Sequence, residues 1–361
     1  MNPQEKPLII PIFIPHSGCP HQCAFCNQSI ITQNARPIPA PFEIQEAVRR
    51  YLQFKRGRKK VEIAFFGGNF LGLAPETLLC LLDYAMPLIL ENQIDGIRFS
   101  TRPDTITEKT LRLIAPYPVS TVEIGVQSMN DDVLKASGRG HTHLDTVNAL
   151  GLLRQIPVKI GVQVMVGLPG DNEIVLLEST RRIAGLSPDF ARIYPLMVLR
   201  GSPMEKWYAQ GRYHPLDLSE AVRLVKKMYQ IFRAAGVEVI RMGLQASEMM
   251  DDPATVLAGP WHPAFGHLVF SGLLYDQVCE KLDRCPALLS AGSLKLTVHP
   301  RSLSRLRGEK NGNMKNLKMK YPKHEFEIRV DEHLSMDEIE ICGYDKINTG
   351  NKRPSGQIPS L

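Results

Sequence analysis

The sequence predicts an α/β fold, a parallel sheet with helices on its outer face. Two observations carry this. Six short apolar runs, at residues 8–14, 61–66, 96–100, 121–126, 158–166 and 190–194, have the length of strands. Helix-period segments at 42–54, 75–88, 107–115, 131–136, 144–153 and 173–184 follow them in turn, and such alternation joins parallel strands through helical crossovers. Periodicity alone leaves open whether the sheet is an open doubly wound one or a barrel.

The first run leads directly into Cys19, Cys23 and Cys26, spaced C-x3-C-x2-C, with Phe25 before the last. Three thiolates on one short loop are expected to converge on a point, and an odd set cannot pair off as disulfides. Zinc usually recruits a fourth protein ligand, and no second C-x2-C or H-x3-H pair follows here. Iron–sulfur clusters normally take four cysteines. A loop of three leaves one iron open to a small molecule.

The second run ends in Phe66-Gly67-Gly68-Asn69-Phe70, where two glycines allow close backbone approach. The third closes on Ser100-Thr101-Arg102-Pro103-Asp104, and Arg102 offers a planar fork of donors suited to a carboxylate. In the fourth, Glu123 and Gln127 are costly to bury unpaired, so both are expected to face a site. The fifth ends in Gly167-Leu168-Pro169-Gly170 and the sixth in Arg192-Ile193-Tyr194-Pro195. Beyond them, 218–235 reads as a helix, 237–240 as a short apolar run, 245–263 as a loop and 264–282 as a further helix. The expected domains are a core over 1–240, a loop-and-helix extension over 241–292, a small basic unit over 293–348 and a disordered tail over 349–361.

Composition narrows the class. No apolar run approaches the roughly 18–20 residues of a membrane span, and the N-terminal residues lack a signal-peptide pattern. Seven cysteines, four of them scattered, fit a reducing, cytoplasmic location better than secretion. A net charge of +6 is too small to decide on partners by itself.

On these residues the cysteine loop resembles the signature of the radical S-adenosylmethionine (radical SAM) superfamily. The resemblance implies a (β/α)6 partial TIM barrel, here with a small C-terminal α+β appendage, and a site at the C-terminal ends of the strands. It implies that Cys19, Cys23 and Cys26 hold a 4Fe–4S cluster whose fourth iron is chelated by S-adenosylmethionine (SAM). An electron donor of the flavodoxin or ferredoxin type would reduce the cluster, and cleavage of SAM would give a 5′-deoxyadenosyl radical. Carried over residue by residue, Phe25 packs on the adenine. Gly67, Gly68 and Asn69 meet the amino group through backbone, although Asn69 departs from the usual third residue. Arg102 takes the carboxylate, Gln127 faces the cofactor, and Gly167 and Leu168 grip the adenine. Together with Gly138-Arg139-Gly140-His141-Thr142, these motifs are similar to the radical SAM domain of the Elongator catalytic subunit, a tRNA-modifying protein. More distantly they resemble oxygen-independent coproporphyrinogen oxidases. Ser100 stands where the Elongator subunit has a glutamate that contacts ribose. The chain after residue 235 lacks the pattern of that subunit's acetyltransferase domain, so acetyl transfer is not expected.

Residues 293–324 carry nine Lys or Arg against one acid, Glu309. The pattern is strand (294–298), helix (301–306), turn (Gly308 to Gly312), helix (314–319) and strand (325–330). It resembles a KH RNA-binding module, whose GXXG loop clamps the backbone, with a turn one residue longer. A solvated basic face is the alternative. Three functions follow: a radical SAM enzyme acting on RNA such as tRNA, one acting on a small molecule such as a porphyrinogen, or an RNA-binding protein with a structural cluster.

Overall fold

A computed structural model describes residues 6–14, 17–27, 38–244, 252 and 254–344. Most of the 245–253 stretch and the whole tail over 349–361 therefore lie outside the described residues. The chain divides into two compact units, Met1–Gly266 and His267–Leu361.

The first unit is built on seven parallel strands: β1 (Leu8–Phe13), β2 (Val61–Phe66), β3 (Gly96–Thr101), β4 (Val119–Gln127), β5 (Lys159–Val166), β6 (Phe190–Pro195) and β8 (Glu238–Met242), in the order β1-β2-β3-β4-β5-β6-β8. The sheet curls into the half-barrel of a partial TIM-barrel fold, as the resemblance implies. Between strands run α1 (Pro41–Leu52), α2 (Pro75–Leu90), α3 (Glu108–Ile114), α4 (Asp131–Ala136), α5 (His143–Leu153) and α6 (Glu173–Gly185). After β6 come α7 (Pro203–Ala209) and α8 (Leu218–Ala234). Their starts are written in the sequence. Thr107, Asn130, Thr142, Asn172 and Asp217 each accept a backbone N–H of the first turn, each cap contributing about 1 kcal/mol. The short run over 237–240 becomes the seventh strand, paired parallel to β6. The expected loop over 245–263 contains a strand, β9 (Val256–Ala258), paired antiparallel with β7 (Val198–Leu199).

Strand parity separates two faces. Ile10, Ile63, Phe65, Ile97, Phe99, Val122, Ile124, Val162 and Ile193 are fully buried on one. Phe65, Phe70 and Phe99 stack there with centroids 5.0 and 4.6 Å apart. On the concave face the alternating residues Pro11, Phe13, Phe66, Ser100, Gln163, Arg192 and Tyr194 are only half-buried. Glu123 lies on this face too, where Arg192 donates to it at 2.6 and 3.1 Å and Arg98 stands 3.8 Å away. Glu123 thus faces the concave side, and two arginines use its charge.

β1 forms one edge of the sheet. Leu8 N donates to Lys60 O and Ile14 N to Phe66 O, both at 2.8 Å. Even-numbered residues of β1 thus face β2, and Pro11 turns its nitrogen to the unpaired side, where a missing N–H costs no ladder bond.

In the second unit β10 (Ser293–Val298) lies between β11 (Glu325–Val330), parallel to it, and β12 (Ile339–Tyr344), antiparallel. The parallel pair is joined through α10 (Leu303–Arg307) and α11 (Gly312–Lys320). Leu294, Leu296, Val298, Leu306, Leu317 and Ile339 form its core with Val278 and Leu282 of α9 (Phe265–Arg284). β12 had no counterpart in the sequence reading. No described helix is long and apolar enough to cross a membrane.

Candidate active site

The cysteine loop leaves β1 and is seated on the loops of its neighbours. Gly18 adopts φ +72°, and a Cβ there would stand 2.2 Å from Asn69 O. Asn69 N donates to Ser17 O (2.8 Å), and Asn69 Nδ2 donates to Gly18 O (2.8 Å). Asn69 Oδ1 accepts from Thr101 Oγ1 (2.7 Å), Arg102 N (3.0 Å) and Thr105 Oγ1 (2.9 Å). This corrects the expectation for Asn69. Its main-chain N–H and its side chain are spent inside the protein, and the residue is fully buried. It ties the cysteine loop to the ends of β2 and β3. Gly68 serves the same seat, because a Cβ would meet Ile14 O at 2.4 Å. Gly67, at φ +94°, stays half-buried at the strand end.

Further along the loop, Ala24 N donates to Ser137 O and Met204 N to Ala24 O, both at 2.9 Å. The Gly138-Arg139-Gly140 turn passes beneath, with both glycines at left-handed φ. Arg139 Nη1 lies 3.2 Å from Cys23 Sγ, and its Nη2 donates to Gly125 O. Burial pushes the Cys19 thiol up, the neighbouring Cys23 adds to this, and Arg102 and Arg139 pull it down. All three cysteines are free thiols. Among the described residues, no three His, Cys, Asp or Glu side chains crowd tightly enough to cage a single ion. Three thiolates on one loop are the donor chemistry of an iron–sulfur cluster, in which each binds a different iron.

Arg102 departs from its expected role. Its Nε and Nη2 donate to Asp104, both at 2.9 Å, so the bidentate fork is already taken by a carboxylate two residues on. Only Nη1 remains, buried without a partner among the described residues. Gln127 Oε1, Arg139 Nε and His141 Nδ1 are likewise buried without a partner among the described residues. Gln127 sits at φ +67°, a left-handed strain that a glutamine accepts only when its surroundings enforce it. His141 Nε2 lies 3.3 Å from Val126 O, and burial next to Arg139 and Arg102 lowers its pKa to about 3. Buried polar atoms are normally satisfied, so this set fits a polar ligand.

Phe25 and Leu168 meet in one apolar cluster with Ala24, Met165, Leu196 and Met204. Gly167 O accepts from Tyr213 Oη at 2.6 Å. Ser100 is half-buried on the concave face, beside Glu123 in register. Past the Gly167–Gly170 turn, burial raises the Asp171 carboxyl to about 6. Arg139, His141, Asp104 and Tyr213 were missed as site residues in the sequence. For the first two, a signal existed in the glycines flanking an arginine.

Comparison with known proteins adds the following. A family profile described as the Radical SAM superfamily matches residues 13–183, and one described as the Radical_SAM C-terminal domain matches residues 188–273. An uncharacterized protein of Methanocaldococcus jannaschii is 28% identical over 62% of this chain and 71% of its own. A tRNA uridine(34) acetyltransferase of Dehalococcoides mccartyi is 26% identical over 55% of this chain, which spans only half of that relative's length. Among solved structures, the archaeal Methanocaldococcus infernus Elp3 with an N-terminal deletion superposes with a TM-score of 0.59 at 20% identity. That superposition covers 74% of this chain and 63% of the other.

Proposed function

The chain belongs to the radical SAM superfamily, and from that premise we propose that it makes a 5′-deoxyadenosyl radical at the strand ends of the half-barrel and uses it to modify RNA, with tRNA as the substrate class. It is an enzyme of that superfamily, whose cofactors are a 4Fe–4S cluster and SAM. Cys19, Cys23 and Cys26 would hold the cluster, leaving one iron to SAM. When bound and reduced, that pair supplies the hard chemistry: one electron breaks a C–S bond of SAM, and the radical formed takes a hydrogen atom from a substrate carbon.

The chain's own residues do the rest. Arg139, 3.2 Å from Cys23 Sγ, offsets thiolate charge. Arg102 Nη1, a donor, and Gln127 Oε1 and His141 Nδ1, both buried, offer contacts to the polar end of SAM. With its pKa near 3, His141 stays neutral at physiological pH and adds no third positive charge beside the two arginines. Gly67 and Gly68 shape the backbone there, Ser100 borders the concave face, and Phe25 with Leu168 forms an apolar wall for adenine. A cytoplasmic setting with a flavodoxin- or ferredoxin-type donor suits this chemistry.

The observation supporting RNA is that relatives aligned over more than half of this chain act on a tRNA uridine by their own description. Acetyl transfer is not part of the proposal. The test uses anaerobically reconstituted protein with SAM and reductant. Serine at Cys19, Cys23 or Cys26 is expected to abolish iron loading, while serine at Cys80, Cys279, Cys285 or Cys342 leaves it intact. Bulk tRNA is expected to stimulate 5′-deoxyadenosine release. Stimulation by a small-molecule extract and not by RNA would overturn the substrate reading, and stoichiometric zinc without iron would overturn the cofactor assignment.

A further inference from the structure

We infer that the second unit binds a single RNA strand in a groove between α10, α11 and β11. The groove encloses about 920 Å³. Its floor is apolar, formed by Leu303, Met314, Phe326 and Ile328, all half-buried. Its rim carries Arg307, Lys315 and Lys318, which are exposed and make no ion pair or hydrogen bond among the described residues. Glu325 is the one acidic residue in the lining.

The structure sorts the nine cations of 293–324. Arg305 lies 4.2 Å over the Phe270 ring and 3.7 Å from Asp337, so it serves packing. Lys320 pairs with Asp283 at 3.0 Å, and Lys295 covers the Tyr344 ring. Of the other six, Arg301, Lys310 and Lys323 are exposed outside the groove lining, and Arg307, Lys315 and Lys318 edge the groove.

Two further features point to a ligand. The turn that closes the groove at Gly308 and Asn311 holds two consecutive non-glycine residues in the left-handed region, Lys310 (φ 49°) and Asn311 (φ 63°). Asn313 pins the turn by donating to Arg305 O (3.1 Å) and Ser271 O (2.9 Å), and strain kept in place in this way collects at functional sites. His324, also in the lining, spends Nε2 on Leu289 O (2.9 Å), while its Nδ1 is buried without a partner among the described residues. An apolar floor under a basic rim accepts bases below and phosphates above, as single strands require. Paired bases of a duplex cannot reach such a floor.

The choice of RNA as ligand rests on the function proposed above, but the test reads binding alone. A labelled single-stranded RNA oligonucleotide is titrated onto the full chain at several salt concentrations. Arg307→Ala/Lys315→Ala/Lys318→Ala is expected to weaken binding on the order of tenfold and to reduce the salt slope by about 2, near 0.7 per lost phosphate contact. Phe326→Leu, which keeps an apolar side chain on the floor, is expected to weaken it with no change in slope. A control of equal charge, Arg56→Ala/Lys59→Ala/Lys60→Ala on an exposed turn of the first unit, keeps both values. Unchanged binding by the groove variant, equal loss in the control, or equal competition by a duplex or a poly-glutamate peptide would overturn the inference. SAM cleavage without RNA should be the same in wild type and groove variant, so a failure of radical chemistry is read separately from a failure of the groove.

Discussion

Asn69 gathers four groups: Gly18 O, Arg102 N and the hydroxyls of Thr101 and Thr105, of which the hydroxyls also have other partners. Asn69→Ala removes the shared acceptor in a fully buried setting. Each stranded group costs about 1–3 kcal/mol, reduced here because the two threonines also bond each other. A loss of about 3 kcal/mol in the apoprotein, with poor iron loading, is expected; a wild-type melting curve would remove Asn69 from the scaffold. His141 supplies a pH signature. Its folded pKa, about 3, lies below the ordinary 6.5, so the unfolded chain binds the proton more readily between those values. Apoprotein stability is therefore full above pH 6.5 and falls by up to roughly 1.4 kcal/mol per unit as pH drops toward 3. His141→Gln should flatten that part of the curve in urea titrations across pH. The sequence marked Asn69 and Arg102 as polar residues at strand ends, and correctly so. It could not reveal that Thr101, Thr105 and Asp104 consume their hydrogen bonds, because that depends on how the loops fold back. Arg139 was hidden for the same reason: its partner Cys23 is 116 residues away.

At the scale of elements, the cysteine loop depends on glycines for two different reasons, and two substitutions separate them. Gly18 and Gly57 both hold left-handed φ, +72° and +77°. A Cβ on Gly57 meets nothing within 4 Å, whereas one on Gly18 runs into Asn69, Gly72 and Leu73 backbone. Gly57→Ala should cost only the left-handed penalty of about 1–2 kcal/mol and leave iron content untouched. Gly18→Ala should add a steric displacement of the loop and lose iron; equal loading in both would mean the loop tolerates the shift. Long periodic elements such as α2 and α8 were legible, since a leading proline in the one and a capping aspartate in the other join apolar spacing to mark them. Short ones were not. β8 alternates exposed Glu238 with half-buried Val239 at a sheet edge, so it offers only a weak strand pattern. β7 has two residues and β9 three, and each owes its existence to the other.

For the whole molecule, strand–helix alternation reveals a parallel sheet, yet nothing in the period says that the sheet curls. The resemblance supplied the half-barrel. The ion network of Glu62, Arg98, Glu123 and Arg192 explains why such a sheet tolerates charge on its concave side, and those partners, spread over four strands with the Glu123–Arg192 pair 69 residues apart, could not be matched from the sequence.

Pro11 bears on how such a protein survives its own synthesis. It sits on the outer edge of the strand that delivers the cysteine loop, with its nitrogen turned away from β2. An edge interrupted by proline is a poor template for a strand from another molecule. The apoprotein is therefore expected to stay dispersed before its cluster is loaded. Pro11→Val would restore the missing donor and lengthen a smooth, apolar border. Light scattering of the apoprotein at rising concentration is expected to show clumping for Pro11→Val and none for wild type, and matching traces would mean that the border is guarded by something other than this proline.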